Sequence, residues 1–135
     1  MPRIFRIVIP VNDMPRADSF YSRVLDRAPD PVVPTRHYFD CGGVILACVD
    51  PREHGRTFQP NPDVVYFAVR DLDATFARAT AAGAGQMDMS APDLGGNAIA
   101  TRPWGERSFY CRDPFGNALC FVDETTLFTG SAGSR

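Results

Sequence analysis

The chain contains the same local pattern twice. Val11-Asn12-Asp13-Met14 leads into an amphipathic helical segment, and Val69-Arg70-Asp71-Leu72 leads into another, an offset of 58 residues (69 − 11). A stretch that reads as a strand, 5–11 or 64–69, runs up to each valine, and over 5–11 it alternates with the side-chain period of two that a strand requires. In the first copy this puts Phe5, Ile7, Ile9 and Val11 on a buried face and Arg6, Val8 and Pro10 on the other. Each aspartate can accept hydrogen bonds from the free N–H groups of a first helical turn, and Pro15 suits that turn. Ala17, Phe20, Tyr21, Val24 and Leu25 then recur at helical spacing. The second helix runs through Phe76 and Ala79 and is expected to stop near Gly83. Two copies of one unit point to a duplicated module with a core shared between the halves.

The tails of the copies repeat as well. In the second, two alternating arms flank Asp113-Pro114-Phe115-Gly116-Asn117, where Pro114 presets the backbone and Gly116-Asn117 accept positive φ. Phe109 and Cys111 share one face of this hairpin, opposite Ser108, Tyr110 and Arg112; on the return arm Leu119 and Phe121 oppose Ala118, Cys120 and Val122. In the first copy the hairpin over 37–50 turns at Gly42-Gly43 and can be laid on the second with Leu46 on Cys120. Pro29, Pro31 and Pro34 are expected to end the first helix. Residues 86–91 read as a further strand, 92–96 as a loop and 97–102 as the approach to the last hairpin. The expected layout is one domain: module one at about 4–50, a linker at about 51–63, module two at about 64–124 and a flexible tail at about 125–135.

A chain of 135 residues with 44% hydrophobic content can bury the core of one domain. A formal charge of −2 with scattered basic residues argues against a nucleic-acid surface. No segment approaches the roughly 20 apolar residues of a membrane span, so no membrane partner and a cytoplasmic location are expected. Cys41, Cys48, Cys111 and Cys120 include no C-x-x-C pair and are read as reduced thiols.

The order βαβββ twice, the V-x-D-[ML] helix starts and the segment W-G-x-R-x-F-x-x-x-D-P-x-G-N from Trp104 to Asn117 together resemble the vicinal oxygen chelate superfamily. That superfamily includes glyoxalases, extradiol dioxygenases and bleomycin resistance proteins, and the likeness covers about residues 4–124. It implies an α+β fold in which two βαβββ modules form a curved mixed sheet, a cup, with the helices packed on its outer face. It also implies a homodimer, since short members commonly pair. Metal-dependent members place His, Gln or Glu at four equivalent strand positions, which here fall on Arg6, Leu46, Val64 and Cys120. Arg, Leu and Val offer a divalent ion no ligand, and one thiol cannot hold it, so no metal and no cofactor are expected. A register slip of one residue brings in no better donors.

The cup is then expected to be an apolar and aromatic pocket lined by Val8, Phe39, Leu46, Cys48, Val64, Tyr66, Tyr110, Cys120 and Val122. Arg6, Ser108 and the tyrosine hydroxyls are its polar groups, with His37 at the mouth and Trp104 at the rim. Arg6 amid apolar neighbours suits a ligand carboxylate or phosphate. The expected function is metal-free binding of a small, anionic or aromatic molecule. The alternative is an enzyme of the glyoxalase and dioxygenase group, a lyase, dioxygenase or isomerase with a non-standard site that draws on His37, Tyr66, Tyr110 or Cys120.

Overall fold

The computed structural model describes residues 1–87 and 97–129. The first module runs β1 (Arg6–Pro10), α1 (Met14–Leu25), β2 (Asp30–Val33), β3 (Arg36–Cys41) and β4 (Val44–Val49). The second runs β5 (Val65–Val69), α2 (Leu72–Ala81), β6 (Ala100–Thr101), β7 (Arg107–Arg112) and β8 (Ala118–Asp123). Each module forms a four-stranded mixed sheet, ordered β1-β4-β3-β2 and β5-β8-β7-β6. In both, the first strand lies parallel to the last, and the hairpins between are antiparallel. The α+β architecture of two βαβββ modules is therefore present, with the sheet divided into two parts.

Both helices start as the sequence predicts. Asp13 Oδ1 accepts from the Arg16 N–H at 3.1 Å, and Asp71 Oδ1 accepts from the Ala74 N–H at 3.0 Å. The end of α1 differs from expectation: the chain leaves the helix at Asp26, in the left-handed region at φ 54°, before any proline is reached. Pro31 instead sits inside β2, which is tolerated because β2 is an edge strand. Gln86 and Met87 are not in a strand, and the rest of the segment expected at 86–91, with the loop at 92–96, lies outside the described residues. The short β6 falls within the predicted approach segment. Of the expected tail, Thr125 and Thr126 belong to a 3-10 turn that Asp123 caps, and residues 130–135 lie outside the described residues.

One core joins the modules. Ile9, Phe20, Tyr21 and Leu46 from the first module cluster with Leu72, Phe109, Leu119 and Phe121 from the second. Helix α1 packs on α2, and Phe67, Phe121 and Phe109 stack in succession with centroids 5.0 and 5.2 Å apart. The Asp-Pro-Phe-Gly-Asn turn fixes the modules together. Asp113 Oδ1 accepts from the N–H groups of Phe115 and Asn117, closing the turn, while Gly116 alone takes the positive φ, at 90°. Asn117 does not, contrary to expectation. Its amide donates to the Pro10 carbonyl of β1 at 2.8 Å and accepts from the Asn61 N–H of the linker, and the Tyr21 hydroxyl of α1 donates to Asp113 Oδ2 at 2.5 Å.

Candidate functional site

The sheet faces turned away from the helices are the surfaces to inspect, and strand register decides which side chains reach them. In the second module, Val65 pairs with Leu119 and Tyr66 with Cys120, while Tyr110 pairs with Cys120 and Ser108 with Val122. Tyr110, Cys120 and Val122 thus form a cluster with Val64 and Met87, separate from the main core. In the first module, Val8 pairs with Ala47 and Ala47 with Tyr38. The open face there carries Arg6, Val8, Tyr38 and Ala47.

Four expected cup residues lie elsewhere. Phe39, Leu46 and Cys48 are buried in the main core beneath α1. His37 shares their face, and its Nδ1 lies 2.9 Å from both carboxylate oxygens of Asp18 on α1. The physical reason is the pairing of β1 with β4: Val8 meets Ala47, not Leu46, so the residue matching Cys120 is Ala47. A shift of one residue exchanges the faces of a strand. Trp104 sits in the β6–β7 turn, where its indole N–H donates to Glu106 at 2.9 Å. Arg6, Val8, Val64, Tyr66, Ser108, Tyr110 and Cys120 all stand on the open side of their strands.

Geometry on the second module's open face is dense. Ser108, Tyr110 and Cys120 are buried, whereas Tyr66 is 59% exposed and meets the Tyr110 ring edge-on at 6.3 Å. Arg102, at the end of the segment that leads to β7, packs against them at 2% exposure. Its Nε donates to the Ser108 hydroxyl at 2.9 Å, its Nη2 to the Ser108 carbonyl at 2.8 Å, and its guanidinium stands 5.0 Å from the Tyr110 ring centroid. Burial, followed by hydrogen bonding with Tyr66, pushes the Tyr110 hydroxyl well above the usual tyrosine range. Burial likewise pushes the Cys120 thiol up to about 11, although Ser108, Tyr110 and Arg102 all act to lower it. This thiol is protonated at neutral pH.

The first module's open face is built around Tyr38. The Arg6 guanidinium lies 5.0 Å from both the Phe5 and Tyr38 ring centroids, and Arg36 donates to the Tyr38 hydroxyl at 3.0 Å. Arg36 also pairs with Glu53 at 3.0 Å. The Thr35 hydroxyl, helped by Arg36, holds the Glu53 carboxyl below its usual range. Tyr38 and Arg36 were missed because the one-residue shift in β4 assigned their faces to the core; the pairing of β4 with β1, which sets Ala47 beside Val8 and Tyr38, is what reveals them.

A divalent cation does not fit the residues present. The four corresponding positions hold Arg6, Ala47, Val64 and Cys120, which supply a single protonated sulfur. Among the described residues no group of three or more His, Cys, Asp or Glu is placed so that it could hold a metal ion. Cys41, Cys48, Cys111 and Cys120 are free thiols. No helix among the described residues is long and apolar enough to cross a membrane.

Comparison with solved structures places this fold among known ones. A glyoxalase-related enzyme from Fulvimarina pelagi superposes with a TM-score of 0.74 at 18% identity, over 97% of this chain and 94% of that one. A glyoxalase/bleomycin resistance protein from Albidiferax ferrireducens gives 0.70 at 20% identity, over 89% and 98%. A lactoylglutathione lyase from Agrobacterium tumefaciens gives 0.66 at 23% identity, over 90% and 92%. At such identities the likeness is one of fold. Comparison with curated proteins gives no sequence match. A family model does match, from residue 3 to residue 121, which takes in both modules and the Asp-Pro-Phe-Gly-Asn turn that joins them. On that match, the chain belongs to the Glyoxalase/Bleomycin resistance protein/Dioxygenase superfamily.

Proposed function

We propose that the protein binds a small aromatic or amphipathic molecule on its open face, without a metal ion, as a homodimer in the cytoplasm. The observation that carries this reading is the exposure of Tyr66 at the edge of the buried Tyr110. A ring held on a rigid strand and open to solvent is a stacking platform for a planar ligand. Val8, Val64 and Val122 supply the apolar lining typical of small-molecule sites. Metal independence is supported by the donor set, and a reducing compartment by four free thiols. The half-exposed Val8 supports a second copy as cover for this face.

An enzymatic reading has less support. With its thiol pushed up to about 11, Cys120 is ionised in only about one molecule in ten thousand at pH 7. Tyr110, raised further, is a poor general acid. The binding reading is tested by thermal unfolding against a panel of aromatic and amphipathic molecules in buffer containing a chelator. A ligand bound only by the folded state raises Tm in a saturable way, and Tyr66→Ala should remove most of the rise. A flat response across the panel, with and without chelator, would remove the reading.

A further inference from the structure

The Arg102 guanidinium is buried to 2% exposure, yet among the described residues no carboxylate lies within 4 Å of it. Its acceptors are all neutral: the Ser108 hydroxyl, the Ser108 carbonyl and, at 3.4 Å, the Ala98 carbonyl. These engage Nε and Nη2. Among the described residues the two N–H groups on Nη1 have no partner, and they are closed to solvent. Taking a cation out of water without a counter-charge is costly, and leaving donors unmet adds to the cost. The Tyr110 ring 5.0 Å away compensates in part through its π face, without satisfying Nη1.

We propose that Arg102 anchors a carboxylate on the ligand, which makes aromatic monocarboxylates the class of molecule that the open face takes. This rests on the reading of that face as a binding surface. A carboxylate at Nη1 supplies both missing items, an acceptor for the free N–H groups and one negative charge. A phosphate dianion fits less well, because one guanidinium answers one charge and its partners Ser108, Ala98 and Tyr110 offer no further cation. The aromatic part of the same molecule then lies against Tyr66. Since Nη1 is closed in the free chain, binding must be accompanied by a local rearrangement of this face. Arg6 differs: it is exposed to solvent and lies against the Phe5 and Tyr38 rings.

The test compares acids with their neutral amides by thermal shift and calorimetry: benzoate, phenylacetate and indole-3-acetate against benzamide, phenylacetamide and indole-3-acetamide. The expected result is that at least one acid binds ten-fold or more tightly than its amide. Arg102→Met should abolish that preference, and Arg102→Lys should leave it intermediate, since a lysine keeps the charge and loses the fork. Equal binding of acids and amides by the wild-type protein overturns the anchor and leaves the binding reading standing, with no need for a variant to fold. No binding of either series overturns both. Loss of the preference in Arg6→Ala, with its retention in Arg102→Met, moves the anchor to Arg6 and overturns the proposal.

Discussion

Asp113 is buried, and among the described residues no cation lies within 4 Å of it. Its two oxygens instead accept from the Phe115 and Asn117 N–H groups, the Asn117 amide and the Tyr21 hydroxyl. Hydrogen bonds to a charged acceptor are the strong ones, so each removal exposes the fold to a large penalty. Burial, and then the Asp113 charge, raises Tyr21 well above the ordinary tyrosine value. The sign of the pH dependence follows. Above about pH 10 the unfolded chain releases the phenolic proton while the folded chain keeps it, so stability is lost as pH rises. Tyr21→Phe is expected to cost about 1–3 kcal/mol at pH 7 through the lost donor. Its stability should then fall less steeply than the wild type above pH 10, by up to about 1.4 kcal/mol per pH unit. Urea unfolding at pH 7, 9.5 and 10.5 reads both effects, with the raised thiols common to the two proteins. Parallel curves would show that Tyr21 titrates alike in both states.

Strand faces were legible wherever the sequence pinned the turn. Asp113 to Asn117 specify the β7–β8 loop through their own side chains, and the open and core faces of that hairpin follow the predicted alternation. Gly42-Gly43 carry no side chains to do the same for β3–β4. Leu46 stands two residues past Val44 and Cys120 two past Ala118, which is why the two hairpins align by eye. The short turn, however, closes on the core-facing pair Cys41 and Val44, while the long one closes on the open-facing pair Arg112 and Ala118. The parity is therefore opposite, and only the pairing of β4 with β1 reveals it. Arg102 was illegible for a different reason, since its burial comes from contacts to Ser108 and Tyr110 that no spacing rule encodes. The corrected register makes its own prediction. Leu46→Ala should cost about 2–5 kcal/mol as a core cavity and leave ligand affinity unchanged. Tyr38→Ala should do the reverse, weakening binding with a much smaller loss of stability. Equilibrium unfolding and calorimetry on both variants decide it; a ligand defect in Leu46→Ala without destabilisation would restore Leu46 to the site.

The two modules share their helix-side core, and on the opposite faces Val8 and Tyr66 stand out as apolar side chains left largely uncovered by the described residues. Val8 is 48% exposed and Tyr66 more so, and they occupy the same position in the two modules, three residues before each V-x-D valine (11 − 8 and 69 − 66). A surface repeated by an internal two-fold pattern is well suited to a two-fold partner, because a dimer contact uses the same patch on both chains. A stable interface of ordinary size takes about 800 Å² from each chain, near a tenth of the 7831 Å² that one chain presents. Sedimentation equilibrium should therefore give a mass of twice 14.8 kDa at micromolar concentration. Val8→Glu, placed mid-strand on that face, should shift the equilibrium to monomer while unfolding at nearly the wild-type temperature, because it adds charge to an exposed position and removes little from the core. Ile9→Glu, one residue on and fully buried, should instead destroy the fold. A wild-type protein that stays monomeric at all concentrations would mean that the open face is left to solvent or ligand alone, and the homodimer would have to be given up.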